Sequence, residues 1–75
     1  MEFQPVKSKN VAAIGYDPAT QTLGVRFHNE SSDYFYELVP PALHVEFMKS
    51  ESKGAFLHAR VRGQFNHRKV ERPKT

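Results

Sequence analysis

Pro40-Pro41 limits what this chain can fold into more than any other feature. Neither residue has an amide hydrogen to give to a β-ladder, and both fit the first turn of a helix. The pair therefore ends a strand region and starts a helical one. Before it, apolar residues recur with a period of two. From Val11 to Tyr16, the residues Ala12, Ile14 and Tyr16 alternate with Val11, Ala13 and Gly15. Asp17-Pro18 breaks that run, since Asp accepts local backbone hydrogen bonds and Pro presets φ for a turn. A second strand, Leu23 to Phe27, sets Leu23, Val25 and Phe27 against Thr22, Gly24, Arg26 and His28. A third, Tyr34 to Val39, sets Tyr34, Tyr36 and Leu38 against Phe35, Glu37 and Val39. Short polar loops at 17–21 and 29–33 join them, which predicts an antiparallel meander with one face on a core.

After the proline pair the period changes. Leu43 and Phe47 lie four residues apart with Met48 beside them, predicting a helix over Ala42 to Ser50. Ser50 to Gly54 interrupts it. A second helix from Ala55 to Arg62 places Leu57 and Val61 at i, i+4, with Gly63 as its C-terminal cap. Lys53 and Arg60 share a face near Leu57 and either snorkel at the rim of the core or face a ligand. The expectation is an α+β domain over residues 1–65, in which a three-stranded antiparallel meander is followed by two short helices packed on the sheet. Residues 66–75 are polar and charged with no apolar period and read as a disordered basic tail.

At 75 residues there is room for one domain. A core that small supplies roughly 3–5 kcal/mol of net stability, so function has to sit on a surface or in a shallow groove. With no cysteine there is no disulfide framework and no thiolate metal site, and a reducing cytoplasm is the expected compartment. No apolar run approaches a membrane span, and Met1 to Pro5 lacks the features of a leader. Charge is unevenly placed. Residues 1–48 carry three basic and six acidic side chains, a net −3, whereas residues 49–75 carry eight basic and two acidic, a net +6. That end would attract a polyanion or an acidic protein, although a solvated tail with no partner is the ordinary alternative.

Several segments together resemble a known family: Val6-Lys7-Ser8-Lys9-Asn10-Val11-Ala12-Ala13-Ile14-Gly15-Tyr16-Asp17, Leu23-Gly24-Val25-Arg26-Phe27, the Tyr34-Phe35-Tyr36 centre, Val39-Pro40, Ser52-Lys53-Gly54-Ala55-Phe56 and Val61-Arg62-Gly63. In order and spacing they are similar to the KTSC domain over roughly residues 6–65. That domain occurs at the C-terminus of some lysyl-tRNA synthetases and as a free-standing bacterial or phage protein, a setting that implies RNA binding. Its Y-x-Y feature maps onto Tyr34 and Tyr36.

The candidate site follows from combining that implication with the residues. Tyr34 and Tyr36 would stack unpaired bases while cations hold phosphates. Should the helices cover their face, Phe35 lies on the open one with Glu37 and becomes the platform instead. Lys53, Arg60 and Arg62 are the candidate phosphate contacts, with the Ser52-Lys53-Gly54 helix start offering backbone N–H groups; against this, Ser52 serves equally well as a plain helix cap. Lys7 and Lys9 extend the basic surface beside the first strand, and Arg68 and Lys69, with Arg72 and Lys74, add salt-sensitive contacts from the tail. The serines stand at no spacing that signals a nucleophile and base, and His28, His44, His58 and His67 form no metal-ligand pair, so neither catalysis, a metal nor a cofactor is expected. The expected partner is RNA, possibly tRNA. The rival expectation is a protein-interaction or homodimerising module, motivated by apolar Phe35 beside Glu37.

Overall fold

The structure is a computed structural model that describes residues 1–73. Five strands form one antiparallel sheet in sequence order: β1 (Phe3–Pro5), β2 (Val11–Asp17), β3 (Thr22–Phe27), β4 (Ser32–Tyr36) and β5 (His67–Glu71). Between β4 and β5 come helix α1 (Pro41–Lys49) and helix α2 (Lys53–Phe56), which runs on into a π-helical turn, Leu57–Val61. The α+β class and the meander are as expected, but the sheet has five strands rather than three. The supposed tail is the fifth: residues 67–71 pair with β4 from Ser32↔Glu71 to Tyr36↔His67. Every β5 residue is exposed, so the strand carries no apolar period; its hydrogen bonds to a distant strand define it.

In β2 a bulge at Ala12 shifts the register between Val11 and Ala13. One extra residue reverses the alternation, so Val11 and Ile14 both reach the core, at 0% and 1% exposure. Leu23, Val25 and Tyr36 join them on the face that receives Leu43 and Phe47 of α1 and Leu57 and Val61 of the π-turn. Tyr16 donates its hydroxyl to the Val39 carbonyl at 2.5 Å and stacks on His44 with ring centroids 4.5 Å apart, fixing α1 over the end of β2.

The helix ends follow local chemistry. Pro41 opens α1, whose C-terminal Ser50 hydroxyl donates to the Phe47 carbonyl. Ser52 caps α2 by accepting from the Ala55 amide at 3.2 Å. The π-turn closes with the Arg62 amide on the Leu57 carbonyl, and Gly63 then takes φ +79°, sending the chain toward β5.

Candidate nucleic-acid interface

The helices cover the face of β4 that carries Tyr34 and Tyr36, but not to its edge. Tyr36 is 3% exposed and belongs to the core, whereas Tyr34 is half-buried at the margin. This corrects the expectation of a two-tyrosine platform, because Tyr36 has no open ring face for a base to stack along. Instead β5 brings His67 alongside, its ring 5.3 Å from Tyr36 and 6.0 Å from Tyr34. Phe27 meets Tyr34 edge-on at 5.4 Å. Across from these rings stand Arg62 and Gly63, and together they line a cleft of about 320 Å³.

Electrostatics in the cleft are mixed. No carboxylate pairs with Arg62 among the described residues. Burial raises the Tyr36 phenol above its ordinary pKa, and the nearby Arg62 charge pulls it the other way. Lys69 lies over the Tyr34 ring at 5.8 Å and 3.7 Å from Glu30. Glu30 also accepts the Tyr34 hydroxyl at 3.0 Å. Its backbone carbonyl is held by Arg72 at 2.8 Å, so the carboxylate is positioned from both ends.

The expected cation cluster does not form. Lys53 is buried at 8% exposure, with its ammonium donating to the Ser50 carbonyl: it snorkels under the helix and faces no ligand. Since Ser52 occupies the Ala55 amide, the start of α2 is capped rather than open to a phosphate. Arg60 points to α1, 3.6 Å from Glu46 and over the Phe56 ring. Of the three, Arg62 alone reaches the cleft. Arg68 and Lys69, adjacent on a strand, project to opposite faces: Lys69 lies over Tyr34, Arg68 over Phe35 at 5.6 Å. Lys7 and Lys9 are exposed in the β1–β2 connection, and neither lines the cleft. Lys74 lies outside the described residues.

On the open face, Phe35 is not a vacant platform. Gly15 and Gly24 face each other across β2 and β3 and leave a trough, where a Cβ on Gly24 would come within 2.6 Å of the Phe3 ring. Phe3 fills that trough, meets Phe35 edge-on at 6.2 Å and carries the Arg26 guanidinium at 4.4 Å. Beside it, Asp33 accepts two hydrogen bonds from Arg26, at 2.9 and 3.0 Å, and one from Arg72 at 2.6 Å. The hydrogen bonds from Arg26 are the main cause holding the Asp33 carboxyl below its ordinary pKa, and those from Arg72 act the same way.

Sequence reasoning passed over His67 and Glu30. The one signal for His67 was the alternation of His67, Lys69 and Glu71 with Arg68 and Val70, which charged residues made easy to overlook. For Glu30 there was none, because its place depends on a hydroxyl four residues on and an arginine from the far end of the chain.

With the geometry in hand, comparison with known proteins is decisive on kinship. The KTSC domain model matches residues 7–65. The chain belongs to the KTSC domain family. Among its relatives, a protein of Tsukamurella paurometabola is 40% identical over 63 residues, covering 84% of this chain and 92% of that one. The lysine–tRNA ligase of a Nostoc species is 35% identical over 60 residues, or 80% of this chain, which spans only 10% of the ligase. The crystal structure of a KTSC domain protein from Yersinia pestis matches with a TM-score of 0.88 at 38% identity, covering 92% of this chain and 96% of that one. KTSC kinship thus extends to a free-standing small protein and to part of a tRNA ligase.

Proposed function

We propose that this KTSC domain is a non-enzymatic binding module that takes unpaired RNA in the cleft between β4, β5 and the end of the π-turn. The observation that carries the reading is the meeting there of half-buried Tyr34, exposed His67 and the guanidinium of Arg62, which is unpaired among the described residues. A base needs an aromatic surface and its phosphate a cation with donors to spare. Lys69 stands over the Tyr34 ring with its charge shared with Glu30. Similarity to part of a lysine–tRNA ligase makes a structured RNA such as tRNA a natural first ligand.

Fluorescence anisotropy with labelled tRNA, single-stranded RNA and duplex DNA at several salt concentrations tests the reading. Saturable binding that prefers RNA, weakens with salt and falls in Arg62→Ala is the expected result. No binding to any of them, or binding indifferent to Arg62, sinks it.

The second reading is a protein-interaction module or homodimer, and one observation favours it: Leu38 is 71% exposed in a left-handed backbone conformation, φ +58°, beside the open face. The edge strand β5 speaks against sheet-to-sheet pairing, because Arg68, Lys69 and Glu71 place charge along it. A sedimentation mass that rises from monomer to dimer at micromolar concentration would favour the second reading. No helix among the described residues is long and apolar enough to cross a membrane.

A further inference from the structure

Glu30 is the anomaly in the cleft. A carboxylate fixed in the wall of a site that receives a polyanion repels the backbone it is meant to hold, unless it meets hydrogen-bond donors on the base. Glu30 is not loose: the Tyr34 hydroxyl donates to Oε1 at 3.0 Å, Lys69 stands 3.7 Å from the same oxygen, and Arg72 holds the backbone carbonyl at 2.8 Å. The Tyr34 hydroxyl makes the one hydrogen bond to this carboxylate among the described residues, so Oε1 keeps a second lone pair and Oε2 accepts no hydrogen bond. A positioned carboxylate beside an aromatic surface accepts from a base edge that offers two adjacent donors.

Of the four RNA bases, guanine alone presents that edge, with N1–H next to the N2 amino group. Adenine and cytosine each set a ring acceptor beside their one amino group, and that acceptor would oppose the carboxylate. Uracil flanks its single N–H with two carbonyls. We infer that the cleft selects a guanine base, stacked on Tyr34 and His67 with its Watson–Crick edge on the Glu30 carboxylate and its phosphate toward Arg62. This rests on the RNA-binding reading and adds the identity of the base.

The test uses the full chain and four labelled RNA heptamers of uridine whose central position is G, A, C or U, with the central-G sequence also made as DNA and free GMP as a competitor. The G heptamer should bind about tenfold more tightly than the others. In Glu30→Gln, whose amide puts a donor where an acceptor stood, the four affinities should converge. Tyr34→Phe keeps the ring but removes the hydroxyl that holds Glu30, and should lose most of the guanine preference, the affinity for the G heptamer falling toward that of the other three. The second variant reads the same contact should the first not fold. Equal binding of the four RNAs by the native chain, or an undiminished guanine preference in both variants, overturns the guanine assignment and leaves RNA binding standing. Failure of every heptamer and of tRNA to bind overturns both. DNA binding as tight as RNA, or GMP displacing the heptamer at equal concentration, keeps the guanine contact and overturns RNA as its source.

Discussion

The two faces of β4 carry similar chemistry to different ends. On the open side, Asp33 and Phe35 stand among Arg26, Arg68 and Arg72, and every one of these groups is engaged by another part of the chain. On the helix side, at the margin, Tyr34 is held by Phe27, Lys69 and Glu30, but the imidazole of His67 is exposed and the Arg62 guanidinium has no partner among the described residues. Basic and aromatic residues in proximity therefore do not by themselves mark a ligand site. What separates the faces is whether the chain has already satisfied them.

The sharpest way to break this comparison is to remove the strand the two faces share. Ending the chain at Phe65 deletes the ladder to β4, the Arg72 contact to Asp33 and the His67 wall. Stability should fall by roughly 3–5 kcal/mol, enough to leave a domain of this size largely unfolded, as circular dichroism would record. A truncated chain that melts like the full one would mean that β5 is an appendage.

Next in size is Asp33→Ala, which leaves Arg26 and Arg72 facing each other without their common carboxylate. Urea denaturation should show a loss of about 3 kcal/mol. The depressed Asp33 pKa gives the same contact a pH signature. Its contribution is complete above the unfolded carboxylate value of about 3.9 and is lost as pH falls through the lower folded value. Acid should therefore narrow the gap between native and variant stability; a gap that stays constant down to pH 2 would remove Asp33 from the account. RNA affinity of the folded fraction should change little, since the open face is structural.

Arg62→Ala inverts that pattern. Stability should hold within about 0.5 kcal/mol because the side chain is exposed and unpaired among the described residues, while RNA affinity falls about tenfold and the salt slope loses about one unit. Coincident loss of stability and binding would make Arg62 part of the scaffold.

How legible this was in the sequence depended on how local each cause is. Strand β3, helix α1 and the Gly63 turn follow from alternation, i, i+4 spacing and turn chemistry, all within a few residues, and β2 is legible as a strand although its bulge at Ala12 breaks the alternation of its faces. Strands β1 and β5 escaped because three and five residues of mostly exposed side chain leave no apolar rhythm, and only a partner strand makes them strands. The tyrosine pair was visible, yet its division into a buried Tyr36 and a marginal Tyr34 needs the width of the helical cover. For Lys53 the spacing left two outcomes open, snorkelling or facing a ligand, and only the packed helix, which begins at Lys53 rather than Ala55, decides for the first. Arg60 and Arg62 were grouped by proximity in sequence, whereas the helix ends between them: Arg60 lies in the π-turn, and Arg62, at φ −65° and ψ 131°, has already left it.

That last separation supplies the finest test. Two arginines two residues apart would contribute alike to binding if charge density near the C-terminus were what drew RNA. The geometry says otherwise, because Arg60 lies against Glu46 and Phe56 on the outer side of the helices, away from Tyr34. Arg60→Ala should shift RNA affinity less than twofold and cost no more than about 1 kcal/mol of stability, the scale of one exposed ion pair with a cation–π contact. Measured beside Arg62→Ala at the same ionic strength, it removes an identical formal charge. Equal losses in the two variants would show that the cleft is irrelevant and that long-range attraction alone holds the nucleic acid; a tenfold loss in one against a twofold loss in the other locates the contact at the side chain the π-turn has turned toward the rings.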